Sequence, residues 1–464
     1  MSTAFAAEQM KDIQGLIFSG YPQSALSSFY LLKIDTPKLA KAWLAQLPKV
    51  SAGEPDRETR EAATTQLNLA FTNTGIKSLI GTNESFEDAF IDGMDSQRRK
   101  VILGDLQENS PDNWLWGSHD KKVDILLMLY SNDIETHRKR QLEFESQFTL
   151  AGLSQVVPRL DNSVIPGQAE QKFPREHFGF SDGVSQPAIG KPTLEISPEN
   201  FQSPIPIEAG EFVLGYNNGY DGTKTKVPST PDRPNLGHNG SYLVFRQLQQ
   251  DVKGFWAFIE KEASIQGLDP DYLAAKFVGR WKSGALMQPG QQKDPGPNST
   301  QTDNDFDFRD DANGVGCPIG AHVRRTNPRA VGLGESFEES LKVANRHRII
   351  RRGRNYGNFL EHPLQDDDTG ERGLFFICLN ANIERQFEFI QHTWVNNLKF
   401  NGLYNEDDPM IGTHASSEPN FERSFTLQDE ILRRTICKFQ QFVTVRGGAY
   451  FFLPSISALR MLSE

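Results

Sequence analysis

Cysteine is scarce. The 464-residue chain has 3, namely Cys317, Cys378 and Cys437, widely separated and without a CxxC pair. That excludes a disulfide framework or a zinc knuckle as the basis of the fold and fits a reducing compartment. Long apolar runs are missing as well. No stretch approaches the roughly 20 apolar residues of a membrane-spanning helix. The N-terminal MSTAFAAEQMKDIQG has no basic start, no arginine pair and no apolar core, so neither a secretory nor a twin-arginine signal is read. A cytoplasmic protein is the expectation. Positive charge is the third shortage: Lys and Arg number 49 against 60 Asp and Glu, for a net charge of −11. Such a field repels nucleic-acid backbones and anionic lipid, so neither nucleic acid nor a membrane is expected as a partner. Net charge does not govern a pocket, however, and the arginine-rich run from Arg346 to Arg354 is a candidate basic lining.

What is present is a globular composition spread over a chain too long for one ordinary core, which predicts two domains. Two pairs of segments hint at a duplication. SFYLLKIDTPKLAKAWLAQ from Ser28 and SYLVFRQLQQDVKGFWAFI from Ser241 each read as a β-rich run followed by an amphipathic helix, and Trp43 stands as far from Ser28 as Trp256 does from Ser241. VDILLMLYSNDIETH from Val123 and GLFFICLNANIERQ from Gly373 each run from a buried-looking strand through Asn or Asp into a helix. These units, with further short β-like runs between them, predict an α+β fold of two βαββαβ modules with antiparallel sheets flanked by helices. The expected division is residues 1–202, residues 203–240 as a Pro/Gly/Asn-rich connection, and residues 241–464. A second such stretch, Ser283 to Gly316, reads as an excursion over a site entrance, because loops of that length are functional or flexible.

Three segments hold residues suited to chemistry. HFGFSDGVSQPAIG, from His177, surrounds a single carboxylate, Asp182, with aromatics and glycines. It reads as an Asp-Gly turn in which Gly183 supplies positive φ, or as a carboxylate that Phe178 and Phe180 desolvate for proton transfer. CPIGAHVRRTNPRA, from Cys317, offers His322 as a ligand of a metal or haem iron, or else as the base that activates a Cys317 thiolate. The thiolate is discounted, since nothing marks a resolving cysteine or an oxyanion loop. HRIIRRGRNYGNF, from His347, mixes cations with Ile349 and Ile350. It is a solvated basic edge or a strand with one arginine turned inward toward an anion, and periodicity alone does not choose which.

In chain order GFSDG, CPIGAHVRRTNPR, HRIIRRGRNYG and GLFFICLNANIERQFEF, with DIQGLIFSGY near the start and GAYFFLPSISAL near the end, resemble the dye-decolourising peroxidase family over most of the chain. The resemblance implies two tandem ferredoxin-like modules with one haem b per chain in the C-terminal one. It makes Asp182 the catalytic carboxylate on the peroxide side, Arg351 its partner and a contact of the haem, and His322 the ligand of the iron. Phe180, Ser181, Gly183, Leu374 and Phe376 are then haem-pocket residues, the last two on one face of a strand. Asp408 is the expected carboxylate behind His322, with Asp407 as its neighbour and competitor. His347 is the first alternative ligand. Tyr356 and Trp394 match positions through which the family is thought to draw electrons from donors too bulky to enter.

The implied reaction reduces hydrogen peroxide and oxidises aromatic donors such as phenols and anthraquinone-type dyes through a high-valent oxo-iron product. A haem carrier or iron-release protein is the alternative, and a carrier would need His322 but no proton relay. A non-haem α+β binding module is a third. Self-association into a homo-oligomer is compatible with the sequence.

Overall fold

The computed structural model describes residues 5–53, 64–81, 85–164, 174–190, 206–296, 304, 306–367, 369–413, 422–429 and 433–464. Residues 297–303 and 305 of the expected excursion, and 203–205 of the expected connection, lie outside them.

In the first half the order is β1 (Leu26–Ile34), α1 (Pro37–Leu44), β2 (Thr65–Phe71), β3 (Ile125–Ser131), α2 (Ile134–Phe148) and β4 (Leu153–Gln155). In the second half it is β5 (Ser241–Gln250), α3 (Val252–Gln266), α4 (Pro270–Val278), α5 (His322–Thr326), β6 (Ile350–Arg351), β7 (Arg354–Tyr356), β8 (Gly373–Asn380), a π-helical stretch (Glu384–Glu388 and Ile390–Val395) and β9 (Val443–Leu453). The long strands form one sheet in the order β7-β8-β5-β9-β2-β3-β1-β4, with β6 also paired to β8. Each half therefore repeats one arrangement, in which the first strand lies between the third and the fourth and the second lies outside the third. This is the expected pair of ferredoxin-like modules, joined edge to edge where Phe452 of β9 meets Phe71 of β2. Both duplicated segment pairs occupy matching places: the first supplies each module's opening strand and helix, the second its third strand and the helix after it.

Local sequence explains the elements. Pro37 begins α1, where its missing N–H costs no helical bond. Asp133 and Asp251 accept the Thr136 and Gly254 N–H groups and so cap α2 and α3. The strands read as unbroken apolar runs because both faces are buried. Tyr30, Leu32, Leu127, Leu129, Val244 and Phe452 point to one core, while Phe29, Leu31, Leu126, Met128, Phe245 and Phe451 point to the other. On the first face of the N-terminal module the space under α1 and α2 is filled by Trp43, Phe144 and Phe148. On the same face of the C-terminal module it is not.

Candidate functional site

A cavity occupies that space. Its floor is the sheet, through Leu248, Leu374, Phe376 and Val443, and its walls include Phe178 to Ser185, Arg348, Arg351, Phe387, Ile390, His322 and Met410. The space it encloses, open mouth included, is about 1560 Å³. Leu374 and Phe376 lie opposite Leu248 and Arg246 of β5 and face the cavity, while the alternate residues Phe375 and Ile377 enter the other core, as strand alternation requires.

His322 is the first residue of α5. Its Nδ1 lies 2.9 Å from Oδ2 of Asp408, and Asp408 is fully buried, its other oxygen accepting the N–H groups of Met410 and Ile411 at 2.9 and 3.0 Å. Burial by itself would raise the Asp408 pKa, but the His322 ring and these donors outweigh it and hold the carboxyl below its ordinary value. An ionised carboxylate only accepts, so Nδ1 carries the proton and the Nε2 lone pair is left for a ligand. The adjacent Asp407 turns instead to Arg423, at 3.1 Å. Cys317 does not join this group as a nucleophile: burial pushes its thiol up to about 11, which keeps it protonated.

Asp182 and Arg351 meet on the same cavity, Arg351 Nη1 donating to Asp182 Oδ1 at 3.1 Å. The same oxygen accepts the Gly183 N–H at 2.6 Å, with Gly183 at φ +76°. The Asp-Gly turn and the polar contact are thus one structure: the turn aims the carboxylate. Ser181 ties it to the second module by donating its N–H to the Lys282 carbonyl at 3.0 Å. Alternation settles the arginine run. Arg351 faces the cavity, whereas Arg352 bonds the carbonyls of Leu16 and Ile17 and Arg354 bonds that of Tyr21, on the opposite face of the sheet. The basic stretch is neither solvated nor a simple edge.

Sequence reasoning missed Glu176, one residue ahead of the motif it read. Its carboxylate accepts the N–H groups of Phe178 and Phe180, each at 2.9 Å, and the Gln250 side-chain amide at 2.7 Å. It thereby fixes the hairpin that carries Asp182. Burial raises its pKa to about 7. Three further cations were also missed as a group. Arg280, Arg329 and Arg348 all line the cavity, and none makes an ion pair with a carboxylate among the described residues. Arg329 is only 6% exposed. It bonds the carbonyls of Asn304 and Phe306, and its buried Nε has no partner. Burial, reinforced by Arg280 and Arg348, pushes its pKa well down. Such crowding is costly unless an anion enters. The only signal in the sequence was the arginine count near each motif. Asn304, which accepts from Arg280 at 2.6 Å, brings one point of the Ser283 to Gly316 stretch to this rim.

His347 also lines the cavity. Its Nδ1 donates to the Arg385 carbonyl at 2.5 Å, and its ring stacks on Phe389 with centroids 3.6 Å apart. Burial lowers its pKa to about 4. Tyr356 stacks on Phe375 and Trp394 packs edge-on to His347 and Phe389; neither lines the cavity.

No metal-binding group of three or more His, Cys, Asp or Glu is found among the described residues, and no helix there is long and apolar enough to cross a membrane. A donor set of one imidazole with a carboxylate behind it, beneath an apolar chamber lined by arginines that pair with no carboxylate among the described residues, does fit an iron porphyrin. The porphyrin brings its own equatorial nitrogens and two carboxylates.

No family model matches this chain. A dye-decolorizing peroxidase of Mycetinis scorodonius is 32% identical over 99% of this chain and 88% of its own length. The multifunctional dye peroxidase of Amycolatopsis sp. is 32% identical over 98% and 93%. Among solved structures, a decolorizing peroxidase from Auricularia auricula-judae superposes with a TM-score of 0.80 at 28% identity, covering 98% of this chain and all of that one. A dye-decolorizing peroxidase in complex with 2,6-dimethoxyphenol gives 0.79 at 26% identity, covering 98% and 99%. The near-complete coverage, the shared double ferredoxin-like fold and the ordered motifs agree: this chain belongs to the dye-decolourising peroxidase family.

Proposed function

We propose that the cavity holds one haem b per chain, that His322 ligates its iron, and that Asp182 and Arg351 manage the protons and charge of hydrogen peroxide. The observation that carries this reading is the convergence of the His322–Asp408 and Asp182–Arg351 pairs on one apolar chamber. When bound, haem b supplies a ferric centre that takes two oxidising equivalents from peroxide and returns them to donors singly.

The remaining work falls to side chains. His322 Nε2 is the iron ligand, and the Nδ1–H bond to Asp408 strengthens its donation and fixes its tautomer. Asp182 Oδ1 or Oδ2 takes the proton from the nearer peroxide oxygen and delivers it to the departing one. Arg351 holds a positive charge beside both oxygens, favouring the peroxide anion and the charge that collects on the leaving oxygen. Phe180, Ser181 and Gly183 shape that side of the chamber, and Leu374 and Phe376 exclude water from it. Arg351, Arg329, Arg280 and Arg348 are the cations available to the haem carboxylates. His322 is preferred over His347 as ligand because its partner is a buried carboxylate rather than a backbone carbonyl.

Small phenols are the donor class suggested by the relative solved with 2,6-dimethoxyphenol, and dyes by the relatives' names, with anthraquinone-type dyes as the kind the family resemblance implies. Residues 241–464 form the haem-binding module in this reading, residues 1–202 lend the GFSDG hairpin, and 203–240 connect them. The exposed free thiol of Cys437 supports a reducing, cytoplasmic setting.

Titration of the purified protein with haemin, followed by absorption and electron paramagnetic resonance, tests the assignment. The expected result is saturation at one haem per chain with an imidazole-ligated spectrum that His322→Ala abolishes. A protein that takes up no haemin, or a spectrum that survives His322→Ala and disappears in His347→Ala, overturns it.

A further inference from the structure

Two carboxyl groups of one hairpin line the chamber, and their surroundings differ. The hairpin is closed by the Asp182 N–H on the Pro174 carbonyl at 2.7 Å and the Glu176 N–H on that of Phe180 at 2.9 Å. Asp182 is paired with Arg351. Glu176 has no cation: Arg280, Arg329, Arg348 and Arg351 line the same chamber, yet none forms an ion pair with it among the described residues. The nearby Lys282 pairs with Asp271 at 2.7 Å, and the rings of His177, His322 and His347 are engaged with the Tyr356 carbonyl, Asp408 and the Arg385 carbonyl. Burial, and after it the charge of Asp182, favour a proton on Glu176 against the pull of its three hydrogen-bond donors. Of a pair of carboxyls placed so differently, the one without a cation takes the part of the acid. The strand beneath contributes the neutral Gln250, whose Nε2 donates to Glu176 Oε2 at 2.7 Å. Gln250 Oε1 is buried and has no partner. Turned over, the same amide accepts a proton carried by Glu176. The site thus accommodates both protonation states without moving the hairpin, which suits a group that gives up and regains a proton.

Resting on the peroxidase reading, we propose that Glu176 is the chamber's second proton carrier: it supplies the protons taken up while donors are oxidised, and Asp182 moves only the protons that peroxide brings. The reaction requires such a group. Turning one hydrogen peroxide into two waters consumes two electrons and two protons, and two phenol donors release them, one of each per O–H bond. Asp182 ends its cycle as it began, because the proton it takes from one oxygen it returns to the other, so it provides neither of these two. Glu176 gives its O–H proton to the second peroxide oxygen as an electron arrives, stands as a carboxylate, and takes back the proton that the donor loses. Over two donors the count closes, with two phenoxyl radicals and two waters formed.

In the haem-loaded protein at rest, infrared spectra should show a protonated carboxyl band that fades as pH rises through about 7 and is missing from Glu176→Gln. With peroxide and a small phenol, the donor-dependent rate of the parent should fall across the same pH. Glu176→Gln should lower that rate at least about tenfold on the acid side and remove the inflection. Acetic acid added to Glu176→Gln should restore the donor-dependent rate, and Glu176→Asp should keep a pH inflection; a hairpin that had merely lost its shape would respond to neither. A band that survives in Glu176→Gln, an inflection or rate that stays parental there, or a loss that acetic acid does not restore overturns the assignment. If the parent still reacts with peroxide in those cases, only the role of Glu176 falls. A parent that binds haemin and fails to react with peroxide removes the peroxidase reading and this role together.

Discussion

The two modules share a strand order, yet one is filled and the other hollow. Beneath α1 and α2 the N-terminal module packs Trp43, Phe144 and Phe148 against Tyr30, Leu127 and Leu129. The matching face of the C-terminal module presents Leu248, Leu374 and Phe376 to an open chamber. What differs is the connecting chain. Between α4 and β6, and between the π-helical stretch and β9, long segments bring in His322, Asp408 and the arginines, and the GFSDG hairpin closes over from the first module. A duplicated fold is thus a scaffold of which one copy serves stability and the other was opened for chemistry, the cost of the opening falling on insertions rather than on the sheet.

The contrast yields ordered expectations. The largest effect belongs to the hollow module's imidazole: His322→Ala should lower peroxidase turnover by about 10³-fold or more, with loss of the imidazole-ligated resonance spectrum, and a parental spectrum would move the ligand to His347. Next, Asp182→Asn and Arg351→Leu should retain haem while slowing the first reaction with peroxide by about 10²–10³-fold in stopped-flow mixing; parental rates in both would remove the proton relay.

In the filled module, Leu127→Ala should cost about 2–5 kcal/mol in denaturant unfolding and leave the haem spectrum alone. Phe376→Ala, at a cavity face, should cost less in the haem-free protein, and an equal cost would mean the chamber collapses without haem. Asp408→Asn should weaken haem affinity by about 10–100-fold, whereas Asp407→Asn, at a carboxylate turned to Arg423, should change it less.

The last expectation is a pH dependence that leaves the site's chemistry aside. Burial lowers the pKa values of His177 and His347 from 6.5 to about 4. Between those values the unfolded chain binds more protons than the folded one, so stability rises with pH from about 4 to 6.5 and is lost on acidification, by up to about 3 kcal/mol per histidine. A urea midpoint that does not fall across this window would contradict it.

Much of this was legible in one dimension. The duplicated strand-helix segments carried the fold class because periodicity and capping are local properties. Asp182 and His322 stood out only as members of an ordered set, since each alone has an ordinary structural role, and in the case of Asp182 that role, the Asp-Gly turn, is also real. Arg351 was hidden among neighbouring arginines, and Glu176 looked like any surface glutamate beside a motif.

The sequence by itself determined that the chain folds as two α+β modules, lacks disulfides and resembles a haem peroxidase, because composition, periodicity and motif order are written along the chain. Only the tertiary structure decided which module is hollow, that Asp408 rather than Asp407 backs His322, that Arg351 and not Arg352 meets Asp182, and that Tyr356 and Trp394 are interior. Each of these depends on the face to which a side chain is turned and on what a distant segment places opposite it. Strand alternation, burial and long insertions settle that in three dimensions, and no local spacing encodes it.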